Sequence, residues 1–242
     1  MKTQQKIILA CCIYSSAGLV MAETVDNGWT GHIEFGLVAA KGNTDSKSLN
    51  AALDTTYQKN AWTHQFSGSI MRAEFFDTEN ANNYLVAQTT KYSLSDVAYT
   101  FSTAWYYNDK FSGYDGQSSI SVGYGRKFID LEKHQLTIEV GPGIAYYKEN
   151  TAEANTETYP VGVVSLEYAW KLTDSTDITD SFTIESGSKN TYIDNALALS
   201  VAINEKFSLS LGLHVTHNTE ALTGSEATDI TLTTNLVYSF SP

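Results

Sequence analysis

Along residues 207–217, Phe207, Leu209, Leu211, Leu213 and Val215 occupy one parity and Ser208, Ser210, Gly212, His214 and Thr216 the other. A period of two marks a β-strand with one apolar and one polar face. The pattern recurs almost throughout the chain. It predicts about twelve strands, at 28–40, 46–58, 61–73, 83–94, 97–109, 118–128, 134–147, 159–171, 176–187, 192–203, 206–217 and 229–240. No stretch reads as a helix or a linker, so one all-β domain is the economical organisation.

The spacing between strands narrows the class. Short connections, such as 59–60, 95–96, 129–133, 172–175 and 204–205, alternate with longer ones at 41–45, 74–82, 110–117, 148–158, 188–191 and 218–228. Most strands also reach the roughly 9–11 residues that cross a bilayer at a tilt, beyond the five or six of a soluble sheet. Together these predict a transmembrane up-and-down antiparallel β-barrel, with short periplasmic turns and longer extracellular loops. A soluble periplasmic β-protein is the fold-level rival.

Aromatic placement points the same way. Trp29, Tyr57, Trp62, Tyr92, Tyr99, Phe128, Trp170, Phe207, Tyr238 and Phe240 fall at the predicted periplasmic ends. Trp105, Tyr107, Phe111, Tyr146 and Tyr192 fall at the outer ends. Two aromatic rings match the two membrane interfaces. The apolar rows, such as Ile33-Phe35-Leu37, Ile120-Val122-Tyr124 and Leu209-Leu211-Leu213, then face lipid. Two segments fit badly: strand 83–94 alternates weakly, and Asp180 shares a parity with Ile178 and Phe182.

Residues 1–22 read as a cleaved signal peptide: Lys2 and Lys6, an apolar run from Ile7, and small residues before a cut after Ala22. The barrel then occupies 23–242. Cys11 and Cys12 lie in this leader, so the remaining chain has no disulfide, thiolate metal site or cysteine nucleophile. Loss of the two lysines takes the formal charge from −12 to −14. An acidic exported chain with Arg72 and Arg126 as its arginines excludes nucleic acid as a natural partner.

The segments 28–53, 111-FSGYD-115 and 140-VGPGIAYY-147 resemble the YdiY-like family of salt-induced outer-membrane proteins; Gly42-Asn43-Thr44 and Gly141-Pro142-Gly143 are the most specific pieces. The resemblance implies a Gram-negative outer-membrane barrel and a link to salt. It carries no biochemical activity and no catalytic residues. The end, 231-TLTTNLVYSF-240, resembles the C-terminal assembly signal of such barrels, with Tyr238 and Phe240 as its alternating aromatics. Asn235 stands where glycine is usual, and Ser241-Pro242 follow the final phenylalanine. This implies periplasmic chaperones and the barrel-assembly machinery as partners. Outer-membrane lipid and lipopolysaccharide would surround a monomer.

The inward parity is mostly small, including Ala52, Ser67, Ala98, Ser102, Ala104, Ser121, Gly143, Ala198 and Ser210. Small side chains leave room for water. Inward acids are expected at Glu34, Asp54, Glu139, Glu167, Asp177, Glu185 and Asp194, with bases at Lys127 and Lys171; Lys91 lies on the weakly alternating strand. Such a lumen attracts cations, unless acids and lysines pair and plug it. Phe111, Tyr114 and Asp115 form a candidate loop constriction.

These features fit a porin-like, weakly cation-preferring passive channel or an envelope-stabilising barrel. The alternatives are a non-conducting surface-binding barrel and a lipid hydrolase using His214 or His217. No serine sits in a nucleophile motif, so no enzyme is expected. His32, His64 and His134 lie in separate strands without metal-ligand spacing, and no cofactor is expected. The outer-loop acids Asp77, Glu79, Glu149, Glu153, Glu157, Glu220 and Glu226 are solvated charges or bind divalent ions shared with lipopolysaccharide phosphates.

Overall fold

The computed structural model describes residues 27–41, 46–112, 114–149, 155–220 and 226–241. The signal segment 1–22 and the Gly42-Asn43-Thr44 motif lie outside them. Twelve strands follow in chain order: β1 (Asn27–Ala40), β2 (Ser46–Lys59), β3 (Trp62–Phe75), β4 (Thr78–Ser93), β5 (Ala98–Asp109), β6 (Tyr114–Asp130), β7 (His134–Glu149), β8 (Thr156–Thr173), β9 (Thr176–Gly187), β10 (Thr191–Ala202), β11 (Phe207–Asn218) and β12 (Thr228–Phe240). Each pairs antiparallel with its sequence neighbour, and β1 closes on β12 from Gly31↔Phe240 to Phe35↔Leu236. Closure leaves no edge strand, so the backbone is satisfied within the sheet even where no water is present. With strands about 4.8 Å apart and tilted about 40°, the backbone cylinder is about 24 Å across.

Every predicted strand overlaps an observed one, but the predicted loops are shorter than expected. The 74–82 connection is a two-residue turn at Phe76 and Asp77, both with left-handed backbone (φ 47° and 56°). Two positive φ values match the right-handed twist of the flanking strands, so β3 and β4 run on into the turn. β8 likewise begins at Thr156 rather than Tyr159.

The outer wall is apolar. Leu37 and Leu232 are each 65 % exposed, and Ile33, Phe35, Ile120, Val122, Leu209 and Leu211 share that face. At the rim carrying Asn27 and Phe240, aromatics pair across adjacent strands: Trp29 with Tyr57 (4.9 Å), Trp62 with Tyr92 (4.8 Å) and Phe207 with Tyr238 (5.2 Å). Asp180 also lies on this wall. Asn195 Nδ2 donates to its Oδ1 at 2.7 Å, so a neighbour answers the misplaced carboxylate without a parity shift.

One strand is inverted relative to expectation. On β5 the lumen side is Tyr99, Phe101, Thr103 and Trp105, whereas Ala98, Ser102 and Ala104 lie on the opposite parity. The register with β4 sets this: Lys91↔Phe101 and Thr89↔Thr103 place those pairs on one face. Tyr99 and Trp105 thus leave the interface rings, as does Tyr192, which is buried. Tyr107 shares their inward parity. The polar tips of Tyr99 and Trp105 find carboxylates on β7 and β9, and those of Tyr107 and Tyr192 find one two residues along their own strand.

At the Gly141-Pro142-Gly143 motif β6 and β7 leave no room for side chains at the facing glycines. A Cβ on Gly141 would sit 2.0 Å from Val122 O, and one on Gly123 would sit 2.3 Å from Val140 O. Pro142 has no N–H to give the ladder, and glycine on both strands accommodates the bend.

Candidate functional site

The lumen is divided along its length. A chamber of about 180 Å³ occupies its middle, and a vestibule of about 450 Å³ opens at the rim carrying Asn27 and Phe240. His32 lines both. Its Nε2 is 3.3 Å from Asp54 on the chamber side and 3.7 Å from Glu34, which lines the vestibule. Asn235 Nδ2 donates to Glu34 at 2.6 Å, and Asn50 Nδ2 to Asn235 Oδ1 at 2.6 Å. Asn235 is thus a buried tie between Glu34 and β2.

Two cross-lumen links frame the chamber. Lys91 Nζ from β4 reaches Glu139 on β7 at 2.9 Å, Tyr99 O–H donates to the same oxygen at 2.6 Å, and Glu167 on β8 also acts on the lysine charge. Above them Trp105 Nε1 donates to Glu185 Oε1 on β9 at 3.0 Å. Asp194 holds His214 Nε2 at 2.7 Å and accepts from Tyr192 O–H at 3.2 Å. Chamber hydroxyls come from Ser67, Thr89, Thr103, Ser121, Ser165, Ser181 and Thr183.

Beyond the chamber the lumen is filled. Tyr114, Ala145, Tyr147, Tyr159, Val161 and Val163 form a buried cluster, with Tyr147 5.6 Å from Tyr114 and 5.8 Å from Tyr159 between ring centres. Met71 and Leu85 are buried on β3 and β4. The Tyr114 hydroxyl, at the start of β6, donates to Glu220 O beyond β11 at 3.1 Å. That bond spans the mouth between strands nearly opposite one another in the barrel order.

The expected site residues distribute unevenly. Asp54, Glu139, Glu167, Glu185 and Asp194 line the chamber, and Glu34, Asp177 and Lys171 line the vestibule. Lys127 does not join them: near the end of β6, in register with Thr137, it sits at the rim 3.2 Å from Asp130. Of the proposed constriction, Tyr114 alone turns inward. Phe111 stays exposed under Lys110, and Asp115 pairs with Lys148 at the surface. Tyr99, Trp105 and Tyr192 are site residues that sequence reasoning assigns to the interface rings, and it treats His214 as a hydrolase candidate and not as a partner of Asp194. Their signal was a tyrosine, tryptophan or histidine sharing a parity with inward acids, as Tyr192 and Asp194 do.

Three of the outer-loop acids are answered by bases. Glu79 contacts Arg72 at 3.2 Å and Lys110 at 2.6 Å, Asp77 contacts Lys47 at 3.7 Å, and Glu157 contacts Lys189 at 3.6 Å. No metal-binding cluster of histidine and carboxylate groups occurs among the described residues. Glu153 lies outside them.

A closed twelve-stranded antiparallel barrel with an apolar outer wall and a polar, partly plugged lumen is an outer-membrane-type β-barrel. The chain belongs to the protein family of unknown function DUF481, which matches it over residues 33–240. It is 32 % identical over 212 residues to the uncharacterized protein YdiY of Escherichia coli K12, covering 86 % of this chain and 82 % of that one. Its fold is similar to the NanC porin (TM-score 0.54, 11 % identity, 87 % and 98 % of the two chains). It is also similar to the COG4313 outer membrane channel of Pseudomonas putida F1 (TM-score 0.52, 12 % identity, 88 % and 96 %). At these identities the likeness shows the fold alone.

Proposed function

We propose that the protein resides in the outer membrane of a Gram-negative bacterium. There it provides a narrow, cation-preferring passage that opens to the periplasm and is shut at its outer mouth by tyrosines. One observation carries this reading: the chamber holds Asp54, Glu139, Glu167, Glu185 and Asp194 against a single lysine, Lys91. Excess negative charge behind low-dielectric walls raises the local cation concentration. The fold likeness to a porin and an outer membrane channel supports a barrel of this class. The test is reversal potential across planar bilayers under a potassium chloride gradient. The parent should favour potassium, and Asp54→Asn with Glu185→Gln should move the potential towards zero. An anion-favouring parent, or an unmoved potential, refutes the assignment.

A second reading, a non-conducting barrel that stabilises the envelope, is favoured by the Tyr114–Glu220 bond across the mouth. Absence of conductance steps in both parent and Tyr114→Ala would select it. The hydrolase alternative gains no support. His214 is enclosed in the lumen against Asp194, and His217 bonds Thr228 Oγ1 at 2.8 Å.

A further inference from the structure

Most acids around the chamber have a cationic or titratable partner. Asp54 has His32, Asp194 has His214, and Glu139 and Glu167 share Lys91. Glu185 differs. It is 4 % exposed, its Oε1 accepts from Trp105, and its Oε2 is buried without a hydrogen bond, with the Ser119 hydroxyl, likewise unbonded, beside the carboxylate. No basic side chain forms an ion pair with it among the described residues. A buried carboxylate oxygen left in this condition costs free energy that a bound cation would recover.

The surroundings of that oxygen indicate the kind of cation. Trp105 and Tyr192 both line the chamber beside Glu185, with ring centres 6.1 Å apart and planes inclined at 36°. Phe101 lines the same chamber four residues from Trp105 on β5. Aromatic faces attract weakly hydrated cations through their quadrupole, most strongly when water is excluded. Calcium or magnesium would instead require about six or more oxygen ligands, and one carboxylate among aromatic rings does not provide them. At about 180 Å³ the chamber equals about six liquid-water volumes of about 30 Å³ each, the size of a small amine. Ser181 and Thr183, neighbours of Glu185 on the inward face of β9, offer hydroxyls to a polar tail.

We infer that Glu185, Trp105 and Tyr192 form a binding site for a small organic ammonium ion inside the barrel. The positive group sits against the Glu185 carboxylate and the two ring faces. The inference rests on the lumen reading above and names the solute class that the passage would hold.

The experiment is calorimetric titration of the refolded chain in detergent with choline, with its neutral carbon isostere 3,3-dimethyl-1-butanol, and with potassium chloride. Saturable binding of choline is expected, with the isostere and potassium each at least tenfold weaker. Glu185→Gln and Trp105→Leu should each weaken choline at least tenfold while the β-sheet circular dichroism stays unchanged. Should one variant fail to refold, the other carries the test together with the isostere comparison. No choline binding by the parent, equal binding of the isostere, equal competition by potassium, or full binding by a refolded variant overturns the site. Binding without bilayer conductance would remove the channel reading and leave this one standing.

Discussion

Replacing Lys91 with methionine removes the one lysine that lines the chamber. Its Nζ lies 2.9 Å from Glu139 Oε1. At an effective dielectric of about 20, a contact at that distance is worth about 6 kcal/mol of attraction, before desolvation of both ions is set against it. Removing one member of a buried pair typically costs about 3–5 kcal/mol, because the remaining charge loses its partner. Here Glu139 keeps the Tyr99 hydroxyl at 2.6 Å, and hydroxyls with water soften the penalty. We therefore expect the lower end, about 3 kcal/mol, read as a lower denaturant midpoint at unchanged slope for refolded protein in phospholipid. Adding Glu139→Gln and Glu167→Gln should restore most of the loss, since the unpaired charges then disappear. A Lys91→Met variant within about 1 kcal/mol of the parent would show that the cluster is not electrostatically coupled, and the reasoning behind the chamber would fail with it.

Three other outcomes are expected. Asp180→Leu combined with Asn195→Leu replaces a polar pair on the lipid-facing wall and should stabilise the barrel in bilayers by about 1 kcal/mol, as denaturant titration reads; a loss of stability would contradict that placement. Tyr114→Ala removes the bond to Glu220 across the mouth and should raise both the size and the frequency of conductance steps in planar bilayers. Gly141→Val puts a branched side chain where even a Cβ would meet Val122 O at 2.0 Å. It should abolish refolding as judged by circular dichroism, whereas Gly162→Ala, with its nearest neighbour at 4.0 Å, should refold normally.

Alternation made the strands and their number legible, because a period of two survives in most segments. It did not tell which parity faces inward on β5. There the two sets are Tyr99-Phe101-Trp105 and Ala98-Ser102-Ala104, and the rule that large side chains face lipid chose wrongly. The acid Asp109, on the same parity as Trp105, was the available clue, since a carboxylate is costly in hydrocarbon. Asp180 shows why that clue is not decisive: it lies on the outer wall, held by Asn195. Cross-lumen partners were illegible for a different reason. The pairings Lys91–Glu139 and Trp105–Glu185 join non-adjacent strands, and only closure and tilt of the barrel bring them together. Lys127 keeps its register just before a bulge near the end of β6 and contacts Asp130 at the rim; alternation gives a residue's face but not its depth along the barrel.

The division of this chain into a lipid-facing wall and an internal face is most directly measured by tryptophan quenching with brominated phospholipid. Single-tryptophan versions of the refolded protein, retaining Trp62 or Trp105, would be compared in the same vesicles. Trp62, 47 % exposed on the outer wall, should be strongly quenched, and Trp105, bonded to Glu185 within the lumen, should not. Equal quenching of both would place Trp105 in lipid and contradict the structure of the site at its centre.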